Sequence, residues 1–165
     1  STAAAVLCRE TAEAAGVKTC ISISDTSMVE FCREGLEAML GNGVDCLFCN
    51  EIEALGWAGT DRLDIAVAEL KDIGRELYVT LGANGCRVIT RDGDREVAGV
   101  AAKAVDTTGA GDMFAGACLY ARMQDADPAD ATRFANYSAA NIVSRYGARL
   151  ENADAYQQLK AAYIP

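Results

Sequence analysis

The chain has 165 residues, with 51% hydrophobic and 24% charged residues and a formal net charge of −9. This length supports one domain with a real core, and the hydrophobic fraction excludes a disordered chain. No apolar run reaches membrane-spanning length, no signal-peptide pattern opens the chain, and an acidic protein without basic runs is a poor partner for nucleic acid. We therefore expect a globular protein that acts without membrane or nucleic acid.

The seven cysteines lack a disulfide-like framework, and the chain contains no histidine. Several cysteines, such as Cys20, Cys46, Cys86 and Cys118, lie in apolar patterns, so we interpret them as reduced core residues of a cytoplasmic protein. Cys46 and Cys49 form a C-x-x-C, but there is no second pair and no histidine to complete a zinc site. The lack of histidine also excludes Ser-His and Cys-His catalysis.

The first half of the chain alternates between helices and strands. Helical spacing of apolar residues, capping residues and glycine stops predict helices, and short apolar runs predict strands. In chain order we expect a helix over 2–15, a strand over 17–23, a helix over 25–40, a strand over 44–49, a helical turn over 51–56 and a helix over 60–73. Such β-α-β repeats imply a parallel sheet with helices packed on it.

The second half starts with a different pattern. Strands over 76–81, 86–90 and 95–101, with turns at 82–85 and 92–93, predict an antiparallel meander added to the parallel sheet. Helices are expected over 113–120, 127–146 and 154–163, the second with Asp127 as its cap and Pro128 in its first position. The fold class is therefore α/β. Because the chain starts with Ser1 and enters at a helix, we expect it to be a fragment of a larger domain.

The segment Asp106–Asp112 reads D-T-T-G-A-G-D and leads into a helical pattern. Backbone amides at such a helix N-terminus hold anions, and the carboxylate of Asp112 in the same turn could take a proton from a hydroxyl. Gly109 to Asp112 could equally be a plain helix cap, in which glycines form the turn and the aspartate favours the helix dipole.

Taken together with the following M-F-A-G-A, this segment resembles the signature of the PfkB (ribokinase-like) family of sugar and nucleoside kinases. The resemblance implies a three-layer ribokinase-like (Rossmann-like) fold. It also implies that Asp112 is the catalytic base, that Gly109, Ala110 and Gly111 line the anion hole, and that Asp106 and Thr108 help to hold a monovalent cation such as K⁺.

Three further stretches resemble family motifs in the family's order. Asn50-Glu-Ile-Glu53 is similar to N-x-x-E, which implies that Asn50 binds phosphate and that Glu53 binds Mg²⁺ through water. Residues 80–85 are similar to T-x-G-x-x-G, which implies nucleotide contacts from Thr80, Gly82, Asn84 and Gly85. Residues 136–148 are similar to the helix and loop beside adenine, with Asn136 as the adenine contact and Gly147 in the cation loop.

The resemblance covers essentially all of residues 1–165 but corresponds to the C-terminal, nucleotide-binding and catalytic half of a family member. We expect phosphoryl transfer from ATP, with Mg²⁺, to a hydroxyl of a small sugar or nucleoside, and residues 47–54 are most similar to adenosine-kinase-type members. Without the acceptor half, the fragment itself is expected to be inactive. The alternative is a non-catalytic nucleotide-binding or interaction domain. The acceptor, the nucleotide donor and the oligomeric state, with a homodimer as one option, stay open.

Overall fold

The computed structural model describes residues 1–162. Its helices are α1 (Thr2–Ala14), α2 (Thr26–Phe31), α3 (Arg33–Leu40), α4 (Glu51–Ala58), α5 (Leu63–Leu70), α6 (Ala110–Arg122), α7 (Pro128–Val143) and α8 (Ala153–Ala161). Its strands are β1 (Cys20–Ser22), β2 (Val44–Asn50), β3 (Gly74–Thr80), β4 (Gly85–Thr90) and β5 (Gly93–Ala98), with a short 3-10 turn at Gly82–Asn84.

The strands form a five-stranded sheet in the order β1-β2-β3-β4-β5. β1, β2 and β3 are parallel, whereas β4 and β5 are joined by a two-residue connection that reverses the chain direction. The sheet is therefore mixed, and the predicted α/β class with its added meander is confirmed.

The chain divides into two compact units, one formed by Ser1–Thr80 with Ile89–Asp94 and the other by Leu81–Val88 with the chain from Arg95 onward. In the first unit, the core is built on β2, where four consecutive residues from Cys46 to Cys49 are buried. Because consecutive strand residues point to opposite faces, both faces of β2 are covered, as expected for a parallel strand between helices. The rings of Phe48 and Tyr78 stack within this core, 5.0 Å apart.

In the second unit, α6 and α7 pack against each other over much of their length. Cys118 and Ala121 of α6 and Phe134 and Ala135 of α7 are buried. The rings of Tyr120 and Phe134 lie 6.1 Å apart and join the two helices. Within residues 1–162, none of the helices is both long enough and apolar enough to cross a bilayer.

Several element boundaries differ from the prediction. The helix expected over 25–40 is two helices separated at Cys32, whose backbone has φ −128° and ψ 23°. Arg33, the first residue of α3, stacks over the Trp57 ring at 4.4 Å and donates to the Trp57 backbone carbonyl, so the start of α3 contacts α4. β1 is shorter than predicted, α7 ends at Val143 rather than Tyr146, and the predicted end of the last helix at Tyr163 lies outside the described residues.

The prediction that the cysteines are core residues is correct for Cys46, Cys49, Cys86 and Cys118 and wrong for the others. All seven are free, and Cys8, Cys20 and Cys32 are exposed. Cys20 lies on β1, the first strand in the sheet order, where it lines an open cavity together with Cys8 and stays exposed.

Candidate active site

The N-terminus of α6 is a helix end without a side-chain cap. Gly109 occupies the N-cap position in the left-handed region, with φ 79° and ψ 3°. Because glycine has no side chain, no side-chain oxygen at this position accepts a hydrogen bond from the amides of the first turn. The Ala110 amide donates to the Thr107 carbonyl at 3.1 Å, so it is less available than predicted. The amides of Gly111 and Asp112 lie in the first turn, where a helix supplies no acceptor of its own. These amides and the helix dipole favour negative charge at this point.

The two glycines of this turn have different physical roles. A Cβ atom on Gly109 would lie 2.7 Å from Cβ and 2.8 Å from Cα of Ala148, so Gly109 is required by packing as well as by its positive φ. A Cβ atom on Gly111 would meet nothing within 4 Å. The absence of Cβ at Gly111 therefore leaves open space directly at the helix end, where a bound anion would approach the backbone.

Asp112 lies in the first turn of α6, and its side chain is exposed. It lines a cavity of about 560 Å³ together with aromatic and cationic side chains that include Tyr120, Arg149 and Lys160. The ammonium of Lys160 lies 5.2 Å from the centre of the Tyr120 ring. An exposed carboxylate beside an open cavity can reach the hydroxyl of a small molecule, which a buried carboxylate could not.

Asp106, Thr108 and Gly147, predicted to form a cation loop, lie together in the structure. One carboxylate oxygen of Asp106 accepts from the Thr108 amide and the other from the Gly147 amide, both at 2.9 Å. A hydrogen bond from the Thr108 side chain, followed by those from the Gly147 and Thr108 backbone amides, lowers the pKa of Asp106 to about 2. The Asp106 carboxylate is therefore ionised at any physiological pH, as a cation ligand must be.

The 82–85 turn and Asn136 both contact the end of β5. The Asn136 side-chain amide donates to the carbonyls of Val97 at 3.2 Å and Ala98 at 3.0 Å, and the Asn84 carbonyl accepts from the Gly99 amide at 3.1 Å. Gly85, with φ 106°, lies so close to residues 97–99 that a side chain could not fit. The structure therefore brings three of the predicted nucleotide residues, Asn84, Gly85 and Asn136, to one short segment of backbone.

Asn136 and Ser138 are buried polar residues of α7, since only 6% of Asn136 and 0% of Ser138 is exposed. The Ser138 hydroxyl donates a hydrogen bond to the Phe134 carbonyl at 2.8 Å. Both side-chain donor bonds of Asn136 go to β5, so its carbonyl oxygen is the atom left for an adenine contact.

Asn50 and Glu53 lie at the carboxyl edge of β2, as predicted, and form a capping box at the start of α4. The Asn50 side-chain oxygen accepts from the Glu53 amide at 2.8 Å, and the Glu53 carboxylate accepts from the Asn50 backbone amide at 2.9 Å and side-chain amide at 2.7 Å. Thr80 is the register partner of Asn50 on β3, and its hydroxyl lies 3.5 Å from the Cys49 carbonyl. Asn50, Glu53 and Thr80 are thus neighbours in the first unit.

Glu53 is only 5% exposed, so its carboxylate does not lie on a solvated helix face. Burial raises the pKa of its carboxyl, with the hydrogen bond from the Asn50 backbone acting in the opposite direction. Residues 1–162 contain no cluster of three or more Cys, Asp or Glu side chains able to enclose a metal ion. A divalent ion would therefore be held here by few protein ligands and by retained water, as Mg²⁺ commonly is.

The fold and these sites define a class of protein, an α/β domain whose uncapped helix end and adjacent carboxylate suit it to phosphate chemistry. The model of the pfkB family carbohydrate kinases matches residues 1–155, and the chain belongs to this family. It is 36% identical over 106 residues to a probable fructokinase-5 of Arabidopsis thaliana, an alignment covering 60% of this chain and 33% of that protein.

Solved structures agree with this membership. The adenosine kinase of Sinorhizobium meliloti superposes with a TM-score of 0.85 at 28% identity, over 96% of this chain and 49% of that one. A putative ribokinase II of E. coli in complex with ATP and Mg²⁺ gives a TM-score of 0.74 at 26% identity, over 82% of this chain and 45% of that one. The chain thus spans about a third of the curated relatives it matches and about half of the solved structures.

Proposed function

We propose that the whole protein transfers the γ-phosphoryl group of ATP to a hydroxyl of a sugar or nucleoside. The observation that carries the proposal is the uncapped N-terminus of α6, where open space at Gly111 adjoins the exposed carboxylate of Asp112. Asp112 takes the proton of the acceptor hydroxyl while the oxygen of that hydroxyl bonds to the γ-phosphorus. The bond between the γ-phosphorus and the leaving ADP breaks in the same step. The amides of Gly109, Gly111 and Asp112 hold the charge on the phosphoryl oxygens.

The nucleotide part of the proposal rests on the segment around β5. The turn containing Gly82, Asn84 and Gly85 would contact the phosphates and ribose, while the Asn136 carbonyl oxygen would accept from the adenine amino group. Tethering of the turn and Asn136 to residues 97–99 would hold these contacts in place before the nucleotide arrives. Such positioning lowers the entropic cost of binding.

Mg²⁺ and a monovalent cation fit the residues in different ways. A carboxylate has about four lone-pair sites, and the two hydrogen bonds from Asn50 leave room on Glu53 for water of a hydrated Mg²⁺. Asn50 would contact phosphate, and Thr80, its register partner, would contact the nucleotide. Ionised Asp106, with Thr108 and the Gly147 loop, has the oxygen chemistry for K⁺. The ions would neutralise phosphate charge that the −9 chain cannot.

The acceptor is left at the level of a class. The relatives matched include a probable fructokinase and an adenosine kinase. The similarity of residues 47–54 to adenosine-kinase-type members favours a nucleoside over a sugar as the acceptor. We further propose that the protein acts in the cytoplasm, since its four buried cysteines suit a reducing compartment.

The proposal is tested by calorimetry and a coupled kinase assay. Residues 1–165 should bind ADP weakly and should not phosphorylate ribose, fructose or adenosine, since the acceptor platform is expected elsewhere in the protein. The whole protein should turn over one of these acceptors and lose that turnover in Asp112→Asn. ADP binding with no Asp112-dependent turnover on any acceptor would favour the alternative of a non-catalytic nucleotide-binding domain.

A further inference from the structure

Two cysteines and a glutamate lie in one row across the three parallel strands. The strand register pairs Cys20 of β1 with Cys46 of β2, and Cys46 with Glu76 of β3. Register partners in neighbouring parallel strands point to the same face, and their backbones lie ~4.8 Å apart. A disulfide requires a Cα separation of roughly 4.4–6.8 Å. The register therefore places the Cα atoms of Cys20 and Cys46 within the range of a disulfide.

The row also contains an acceptor for a thiol proton. The Cys46 sulfur lies 3.8 Å from a carboxylate oxygen of Glu76. The same oxygen accepts from the Tyr78 hydroxyl at 2.6 Å, which fixes the carboxylate, and Tyr78 is itself fully buried. Cys46 is buried and Cys20 is exposed, so one thiol of the pair can meet a reagent from solvent while the other cannot.

Cys20 is the more reactive of the two thiols. A hydrogen bond from the Cys46 side chain lowers the pKa of the Cys20 thiol, against the opposing effects of partial burial and of the Asp45 and Glu76 charges. Because the thiolate is the reacting form, a lowered pKa makes Cys20 the first of the pair to react at neutral pH. Cys49, three residues beyond Cys46 on β2, is buried and its pKa is raised, so it should stay inert.

We propose that Cys20 and Cys46 form an oxidation-sensitive thiol pair that closes into a disulfide across β1 and β2. The Cys20 thiolate attacks a low-molecular-weight disulfide, which gives a mixed disulfide on Cys20 and releases one thiolate. Cys46 then gives its proton to Glu76 and attacks the Cys20 sulfur. The second reagent thiolate leaves and takes up the proton from Glu76. The two protein thiols are oxidised and one reagent disulfide is reduced to two thiols.

The experiment treats the folded chain with oxidised glutathione, quenches by alkylation and maps the cysteines by mass spectrometry. Tryptic peptides 19–33 and 34–62 contain Cys20 and Cys46 but also Cys32 and Cys49, so fragment spectra are needed to assign the linkage. The expected result is loss of two thiols per chain and a link between Cys20 and Cys46. Exposed Cys8 and Cys32 serve as internal controls and should acquire glutathione more slowly than Cys20.

Two variants separate the steps. Cys46→Ser should keep glutathione on Cys20. Glu76→Gln should form the same mixed disulfide at least as fast as the wild type, because the Glu76 charge opposes ionisation of Cys20, but should convert it to the internal disulfide more slowly, a split that a purely structural role of Glu76 would not produce. Cys8 and Cys20 line a common cavity of about 450 Å³. A link between Cys8 and Cys20, or equal glutathione on Cys8, Cys20 and Cys32 without an internal disulfide, would overturn the proposal. The wild-type map decides this even if Cys46→Ser does not fold.

Discussion

Gly111→Ala separates ligand binding from stability at the helix end. Its new Cβ would meet nothing within 4 Å, and Gly111 lacks the positive φ that strains a substitution. Alanine is favoured over glycine in a helix by ~0.5–1 kcal/mol. For a protein of this size, 1 kcal/mol corresponds to roughly 2–4 °C in the unfolding midpoint. We therefore expect the variant to unfold up to a few degrees higher than the wild type.

The same methyl group should occupy the space that the phosphate needs. We expect ADP affinity to fall at least ~10-fold, which corresponds to about 1.4 kcal/mol. Gly116→Ala is the matched control, because a Cβ there also meets nothing within 4 Å and it lies in the same helix beyond the first turn. It should show the same thermal gain with unchanged ADP binding. If Gly111→Ala binds ADP as tightly as the wild type, the phosphate does not lie at this helix end, and the reasoning is refuted.

Three further outcomes are expected. In the whole protein, Asp112→Asn should lower turnover by at least ~10²-fold with nucleotide affinity little changed, whereas Asp154→Asn, which changes an aspartate in the first turn of α8, should have no effect on turnover. Glu53→Gln should raise the Mg²⁺ concentration needed for activity. Because burial raises the pKa of Glu53, wild-type stability should fall as pH rises above 4.5, and urea unfolding should show this slope lost in the variant. The pKa of Asp106 is about 2 in the folded protein against an ordinary value of 3.8, so its stabilising effect is complete above pH 3.8 and is lost as the pH falls towards 2. Asp106→Asn should therefore lower the free energy of unfolding at pH 6, and the difference from the wild type should vanish near pH 2. An unchanged Mg²⁺ requirement, or an Asp106 effect that persists at pH 2, would contradict the respective assignment.

The sequence predicted the order and type of most elements because period, caps and glycine stops are local signals. Asp127 and Pro128 do begin α7, as predicted. It did not predict the break at Cys32, because no glycine or proline marks that position and the contact of Arg33 with Trp57, 24 residues away, is not visible in a local pattern. Boundaries decided by contacts between distant residues are not visible in local patterns.

The candidate site was predictable to a similar extent. The motifs identified which residues to examine, and the joining of Asp106 to Gly147 agrees with their predicted shared role. The anchoring of Asn136 on β5 was not predicted. Its signal was a polar residue directly after the apolar positions Phe134 and Ala135 of α7, because a buried polar side chain has to be paired. The packing of Gly109 on Ala148 gave no such signal, since it joins residues 39 apart in the chain and the sequence shows only a glycine and an alanine.

The capping box of α4 bears on how the motif is interpreted in related sequences. Asn50 and Glu53 hold each other through three hydrogen bonds, and an N-cap of this kind contributes ~1 kcal/mol to stability whether or not a metal ever binds. Selection for folding alone would therefore retain the asparagine and the glutamate in a descendant that had lost its chemistry. A relative that keeps N-x-x-E has thereby shown an intact helix start, whereas the positions that match Asp112 and Gly111 bear on the chemistry that we propose.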